Sequence, residues 1–521
     1  MRESDFRVQQ QNLFDPVPVE RLQMQTKEDL ILFIKLQQDV NNQLRKRVEY
    51  LEALGRELKN RTLFVQDRYI VLKNKLFGKS SERSASEAQE DSAQPSKPKR
   101  RRIQLPSQRY PDAPLIERSV EFQTMPSCSC CGSEMIDSGM TEDSEYLTVI
   151  PKQYLIVRQK RQKVRCGKCH GDIQTAPAPE RIKEGSSYSD EMMVDVALSK
   201  YLDLIPVERY ASMAAREGFK DLPPQSLIES THYVAEFVEK AYDRLRAEII
   251  DSKVLHADET PHRMLEGDKK SNWFLWGFSN QKTSFFEYHD TRSGTVASRL
   301  LASSGCEYLV SDVFSGYGKA VKDTNIIRQE KKLPLIQNVY CNAHARRKFI
   351  EAEEGAPEEA SFFIEQYRQI YHREAEAQGK PSQEILEIRQ SMKAHFDEMK
   401  KRAMAHLVKY SSKSMIARAM TYFLENYKEL TLFLQNSELP IDNNPQERLL
   451  RNPVIGRKTW YGTHSKQGAK TAAVLFSLVE SCKLNGMNPR DYFRALIQDL
   501  HAGKAAYSPA EFATKTDPPA G

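Results

Sequence analysis

Residues 441–461 read IDNNPQERLLRNPVIGRKTWY, the opening of a helix built around an acid. Asp442 or Asn443 can cap the free amides, and Pro445 suits the first turn. Glu447 follows early in that helix, where a carboxylate ionises easily. Arg448, Arg451, Arg457 and Lys458 surround it with positive charge, and Trp460 and Tyr461 come next. An acid set among bases suits a metal ion facing a phosphate backbone. A capped surface helix with a solvated charge run has the same pattern, so the choice depends on matching acids upstream.

Two such acids stand upstream. Residues 253–261, KVLHADETP, read as a buried strand ending in Asp258, and residues 308–312, YLVSD, as another ending in Asp312. Glu259 is the alternative to Asp258, although alternation sends neighbouring strand side chains to opposite faces. Asp442 is the alternative to Glu447, although capping describes it better. A strand-terminal Asp is also a common turn residue. His256 shares the face of Asp258, either as a contributor to a site or as a packed strand histidine. His344, with Arg346 and Arg347, either holds a phosphate or pairs with acids of the helices that follow.

These residues need elements to bring them together. Residues 253–261, 273–278 and 283–288 have strand character, the last two joined at Ser279-Asn280. A short helix at 295–301 and strands at 308–312 and 335–341 complete the run. Residues 351–439, rich in Glu, Arg, Ala and Leu, form a helical insertion before the Glu447 helix, and further helices cover 468–484 and 489–498. Three strands, a helix and more strands, with acids on the first and fourth strands and on a late helix, match the ribonuclease H-like arrangement. There the first and fourth strands are neighbours, so Asp258 and Asp312 meet and the late helix delivers Glu447. Three converging carboxylates raise one another's pKa unless a cation compensates. Hard oxygen ligands select magnesium or manganese. Two such ions about 4 Å apart serve an in-line phosphoryl displacement, the chemistry of DNA strand cleavage and joining.

The eight cysteines include Cys128-Ser-Cys-Cys131 and Cys166-Gly-Lys-Cys169, two C-x-x-C knuckles that can give a tetrahedral zinc site through Cys128, Cys131, Cys166 and Cys169. Cys130 and His170 are spare ligands. A site filled by four thiolates is structural. Between the knuckles, residues 146–165 alternate apolar and basic side chains, as hairpin strands with one cationic face would; Arg158, Lys160, Arg161 and Lys163 are its DNA-contact candidates, alongside Arg346, Arg347, Arg451, Arg457 and Lys458. The net charge of +6 is too small to establish a polyanionic partner, and the clustering says more.

Apolar residues recur at heptad spacing from Leu30 through Leu44, Leu51, Leu58 and Val65 to Leu72, which predicts a coiled coil and self-association; one amphipathic helix packed on its own protein is the alternative. Residues 79–102 are Ser/Glu/Gln/Pro-rich and end in KPKRRR, a disordered basic linker. A helix ending at Gly218 and a second beginning near Pro224 or Ser226 give a weak helix-turn-helix pattern. No apolar run reaches membrane-spanning length and no secretory signal stands at the N-terminus, so the expected compartment is the cytoplasm.

The chain is thus expected to be multidomain α+β. Its expected parts are a coiled-coil region (1–78), a basic linker (79–112), a zinc ribbon-like β module (113–180) and a helical region with the helix-turn-helix pattern (181–250). A ribonuclease H-like core (251–465) with a helical insertion (350–440) and a C-terminal helical segment (466–521) follow.

HADETP, SDVFSGYGK, CNAHARRKF and IDNNPQERLLRNPVIGRKTWYGT together resemble the insertion-sequence-66 family of bacterial DDE transposases. The resemblance covers almost the whole chain, including KLFGKSSE before the linker. It implies transposition of the chain's own element, with Asp258, Asp312 and Glu447 on the matching catalytic positions, an insertion between the second and third acids, and double-stranded DNA at element ends and target as partner. Small accessory proteins of the same element and a nucleoid-associated bacterial location also follow from it. Cys-Ser-Cys-Cys departs from the Cys-Pro-x-Cys frequent at the first knuckle, and Val313-Phe314 from the smaller or tyrosine-like residues common there. The competing functions are a structure-selective endonuclease and a zinc-dependent DNA-binding protein with an inactive core.

Overall fold

A computed structural model describes residues 27, 35, 38–58, 62, 65, 105–111, 113–136, 144–150, 152–166, 168, 173–265 and 272–516. Leu30, Leu72, the run 79–102, Cys169 and His170 lie outside the described residues. The chain divides into two compact units, one of Lys79–Val234 and one of Met1–Gly78 with Ala235–Gly521.

Residues 38–58 form one helix, α1, along which Leu44, Val48, Leu51 and Leu58 are exposed. After the four-residue α2 (Pro106–Arg109), the expected hairpin is realised only in part. Lys163–Arg165 (β1) pairs antiparallel with Ile173–Thr175 (β2), whereas residues 152–162 join no ladder. Alternation gives a strand its face, but a strand also needs a partner for its amides, and none of the described residues supplies one here. Asp190–Tyr201 (α3), Val207–Arg216 (α4) and Pro224–Phe237 (α5) then pack around Val196, Val207, Tyr210 and Leu227. Ser189 caps α3 by accepting from the Met192 amide.

Glu239–Ile250 (α6) precedes a five-stranded sheet made of Val254–Arg263 (β3), Asn272–Ser279 (β4), Ser284–His289 (β5), Tyr308–Ser311 (β6) and Gln337–Tyr340 (β7). Its spatial order is β5-β4-β3-β6-β7. The first three strands form an antiparallel meander, while β6 and β7 are added in parallel. The meander turns at Asn280, whose Oδ1 accepts the amides of Lys282 and Thr283. Parallel addition needs crossovers, and Thr295–Ala302 (α7) and Ser315–Glu330 (α8) provide them.

Asn342–Ala352 (α9) leads into the helices between β7 and the Glu447 helix: Pro357–Ala377 (α10), Ser382–His406 (α11), Met415–Glu425 (α12) and Tyr427–Thr431 (α13). Phe349 stacks on Phe363 at 4.2 Å, and Phe363, Phe396 and Phe423 pack with Val310 and Val339 of the sheet in one buried cluster. The helices therefore share a core with the strands that carry the site.

Asn444–Trp460 (α14) packs across β3 and β4. Lys466–Leu484 (α15) covers the edge strand β5, and its serines take the place of a further strand. Ser477 Oγ accepts the Phe286 amide and Ser481 Oγ the Ser284 amide, each at 2.9 Å. Edge amides that would otherwise invite another chain are satisfied by a helix. Pro489–His501 (α16) and Pro509–Thr516 (α17) follow. No helix among the described residues is long and apolar enough to cross a membrane.

Candidate active site

The register of the sheet brings the first two acids level. β3 and β6 pair Val254 with Tyr308, Leu255 with Leu309 and His256 with Val310, so the same offset carried two residues further sets Asp258 against Asp312. Asp258 does not end its strand, as its sequence pattern suggested. β3 loses β6 as a neighbour after His256 but continues beside the aromatic strand β4 to Arg263, with Asp258 opposite Gly277. The acid therefore sits where one side of the strand has just opened and the other remains fully paired, a rigid mount beside a free strand edge.

Glu447 is held near this strand because α14 is bolted to β3 at both ends. At its start, His256 Nδ1 donates to Asn443 Oδ1 at 2.8 Å and Asn443 Nδ2 donates to the Ala257 carbonyl at 2.9 Å. At its finish, Tyr461 and Gly462 take positive φ, Thr463 pairs with Met264, and Leu265 donates to the Thr463 carbonyl at 2.8 Å. A Cβ on Gly462 would overlap the Arg263 carbonyl, so only glycine permits this closure. The spans agree: the 17 helical residues cover about 25 Å at 1.5 Å each, and strand positions 256 to 264 about 27 Å.

The two cap candidates divide their work. Asp442 Oδ1 accepts the Asn444 amide at 3.0 Å, while Asp442 Oδ2 accepts from Tyr371 at 3.1 Å. Asn443 makes no side-chain cap and serves as the bolt. His256 is accordingly the packed strand histidine of the two readings, buried and holding Asn443. Asp442 is occupied at the helix start, and Glu259 is buried against Arg292 Nε at 2.7 Å and Tyr317 Oη at 2.5 Å. Both alternative acids thus have partners of their own.

Electrostatics link the remaining three. Burial, then the charges of Glu259, Asp312 and Glu447, hold the Asp258 carboxyl well above the usual range, against one amide hydrogen bond from Glu259. Burial and Glu259 likewise raise Asp312, with His344 and Arg292 opposing and Glu447 adding to the rise. Asp312 Oδ1 is buried and has no hydrogen-bond partner among the described residues. His344 Nδ1 lies 3.7 Å from Glu447 Oε1 and so stands beside the third acid.

Among the described residues, one trio of potential metal ligands has all its ligand atoms within 4.8 Å of one another: Cys341, His344 and Glu447. The wider set of Asp258, Asp312 and Glu447 does not close around one point, and neither do Cys128, Cys131 and Cys166. In the first knuckle, Gly132 at φ 74 turns the chain so that its amide donates to the Cys128 carbonyl at 2.9 Å. Hydrogen bonds from Ser133 and Cys128 lower the Cys131 thiol, which suits a thiolate ligand. Cys166 follows directly on β1 and is exposed, as is Cys130.

Of the basic candidates, Arg158, Lys160, Arg161, Lys163, Arg451 and Lys458 are exposed, and Arg346, Arg347 and Arg457 are half-buried. Arg457 Nη1 donates to Thr260 Oγ1 at 3.3 Å, two residues beyond Asp258 and on the same strand face.

Cys341, Gln446, Gly277 and the Arg292–Tyr317 pair are the neighbours that the sequence did not single out. Gly277 left a trace there, because one glycine amid the aromatics of WFLWGFS marks a place where something approaches the backbone closely.

The structure thus groups carboxylates at one side of a mixed sheet, with Arg457 on the same face of β3. Comparison with known proteins gives the family: residues 185–471, more than half of the chain, match the model of the Transposase IS66 family, and the chain belongs to it. It is therefore of the transposase class. Among curated proteins it is 25% identical over 411 residues to the uncharacterized protein y4hP of Sinorhizobium fredii (strain NBRC 101917 / NGR234), covering 74% of this chain and 73% of that one. The uncharacterized protein y4jD of the same strain is 26% identical over 399 residues, covering 74% and 76%.

Proposed function

We propose that this chain cleaves DNA at the ends of its own insertion element and joins the freed 3′ ends to a target duplex, using Asp258, Asp312 and Glu447 in a ribonuclease H-like core. The observation that carries this reading is a half-buried, mutually charged group of three carboxylates drawn from β3, the end of β6 and α14, with Asp312 Oδ1 buried and without a hydrogen-bond partner among the described residues. A fold with no cation to bind there would bear the repulsion for nothing. The donor set is hard oxygen, which fits magnesium or manganese. Two divalent cations held there would supply Lewis acidity to the attacking and leaving oxygens of an in-line displacement.

The chain's own residues supply the rest. Asp258 is fixed by β4 and Glu447 by the Asn443 bolt, so neither must be ordered when substrate arrives. Arg457, with exposed Arg451 and Lys458 on the same helix, offers cations to the phosphates on either side of the reacting one. Cys128, Cys131, Cys166 and Cys169 hold structural zinc, α1 pairs with a second copy, and Arg158, Lys160, Arg161 and Lys163 meet DNA outside the core.

The test is incubation with linear duplex carrying the sequences that flank the reading frame, plus manganese, scored for nicked and joined products. The expected result is both products from the natural chain and neither from Asp258→Ala, Asp312→Ala or Glu447→Ala. Cutting without joining would make the protein an endonuclease, and undiminished cutting by an acid variant would remove that residue from the site.

A further inference from the structure

Gln446, immediately before Glu447, is 0% exposed, yet both polar atoms of its amide are buried without a hydrogen-bond partner among the described residues. A fold does not ordinarily retain such a group when an apolar side chain of the same shape is available. Its location is unusual as well. A Cβ on Gly277 would overlap Gln446 Nε2, so the amide fills the space that a side chain at 277 would take. Gly277 is the direct antiparallel partner of Asp258, and directly opposed residues of such a pair project from the same face of the sheet. The amide therefore lies on the face of the sheet from which the Asp258 carboxylate emerges.

We propose that Gln446 is a positioning residue of the acid site, its side-chain N–H donating to the Asp258 carboxylate in the cation-loaded protein, and that Gly277 is glycine to leave room for it. The idea rests on the reading of Asp258, Asp312 and Glu447 as cation ligands. It adds a fourth side chain that ligates nothing. The hydrogen bond fixes which way the Asp258 carboxylate faces, so that a bound cation finds its ligand already turned. An amide that waits unpaired for this bond costs the fold stability, which an apolar side chain of the same shape would not.

Manganese binding to the full-length chain, measured by calorimetry beside thermal unfolding, tests the proposal. Manganese is chosen because it prefers oxygen ligands to the cysteine knuckles. Gln446→Met keeps the shape and removes the amide; it is expected to raise the melting temperature of the metal-free protein while weakening manganese affinity about fivefold, the worth of one net hydrogen bond. Gln446→Asn, which draws the amide back by one methylene, is expected to weaken affinity similarly and decides the matter if the methionine variant fails to fold. A merely structural role predicts that stability falls and affinity does not move. If both variants bind within about twofold of the natural chain while Asp258→Asn loses binding, the role of Gln446 is refuted and the acid site stands. If the natural chain itself binds no manganese, the acid site falls first.

Discussion

Asn443 holds His256 Nδ1 at 2.8 Å and, with its other amide atom, the carbonyl of Ala257 at 2.9 Å. Glu447 is the residue whose amide donates back to the Asn443 carbonyl, at 3.2 Å. One side chain thus sets the distance between the strand that bears the first acid and the helix turn that bears the third. Asn443→Ala is expected to cost roughly 2–3 kcal/mol, because it leaves a buried imidazole and a buried carbonyl unpaired. It should also lower cleavage, although the Asn443 side chain hydrogen-bonds to none of the three acids. Chemical denaturation gives the first quantity, and a nicking assay well below the midpoint gives the second.

Asp312→Asn should separate stability from function. The folded state keeps this carboxyl protonated to a higher pH than the unfolded chain does. Between the ordinary carboxylate range and the raised folded value, the unfolded state binds fewer protons, so stability falls as pH rises. The amide removes that loss. The metal-free variant is expected to melt at a higher temperature than the natural chain at neutral pH, with a flatter pH dependence and no stabilisation by added manganese. Scanning calorimetry from pH 4 to 8, with and without the ion, checks all three.

His262 predicts the opposite slope. Burial, with help from Arg457, pushes it down to about 4, and it lies 3.0 Å from Thr463 Oγ1 at the closure of α14. An imidazole whose folded value lies below its unfolded value contributes stability that is complete above about pH 6.5 and is lost as pH falls toward 4. The loss reaches roughly 3 kcal/mol at most. His262→Gln should flatten this acid limb, read from denaturant midpoints across that window.

Arg457 separates phosphate binding from catalysis by the acids. Its guanidinium is half-buried over Thr260, on the Asp258 face of β3. Arg457→Ala is expected to reduce the slope of log affinity against log salt by about 1 and to weaken binding to all sequences alike. Fluorescence anisotropy at several salt concentrations, with manganese omitted, measures both. An unaltered slope would show that Arg457 belongs to the closure of α14 alone.

Much of the sheet and of the candidate site was legible along the chain. Local patterns are sufficient where one residue's neighbours decide its state: short apolar runs marked the five strands to within a few residues, and the Asp-Asn-Asn-Pro start marked α14. The order of strands and the late helix suggested that Asp258, Asp312 and Glu447 meet. What sequence left open was every choice between two residues of the same kind. Asp442 and Glu447, or Asp258 and Glu259, differ in role because one of each pair already has partners, and those partners are far away in sequence: Tyr371 for Asp442, Arg292 and Tyr317 for Glu259. His256 became a bolt, and Gly277 a space for Gln446, for the same reason. The run before β1, which joins no ladder, shows the converse, since alternation gives a strand its two faces but cannot supply the neighbour its amides require. Periodicity and caps are written in successive residues and survive translation into one dimension. Desolvation, pairing and close approach depend on which distant groups share a volume, and only the folded chain decides that.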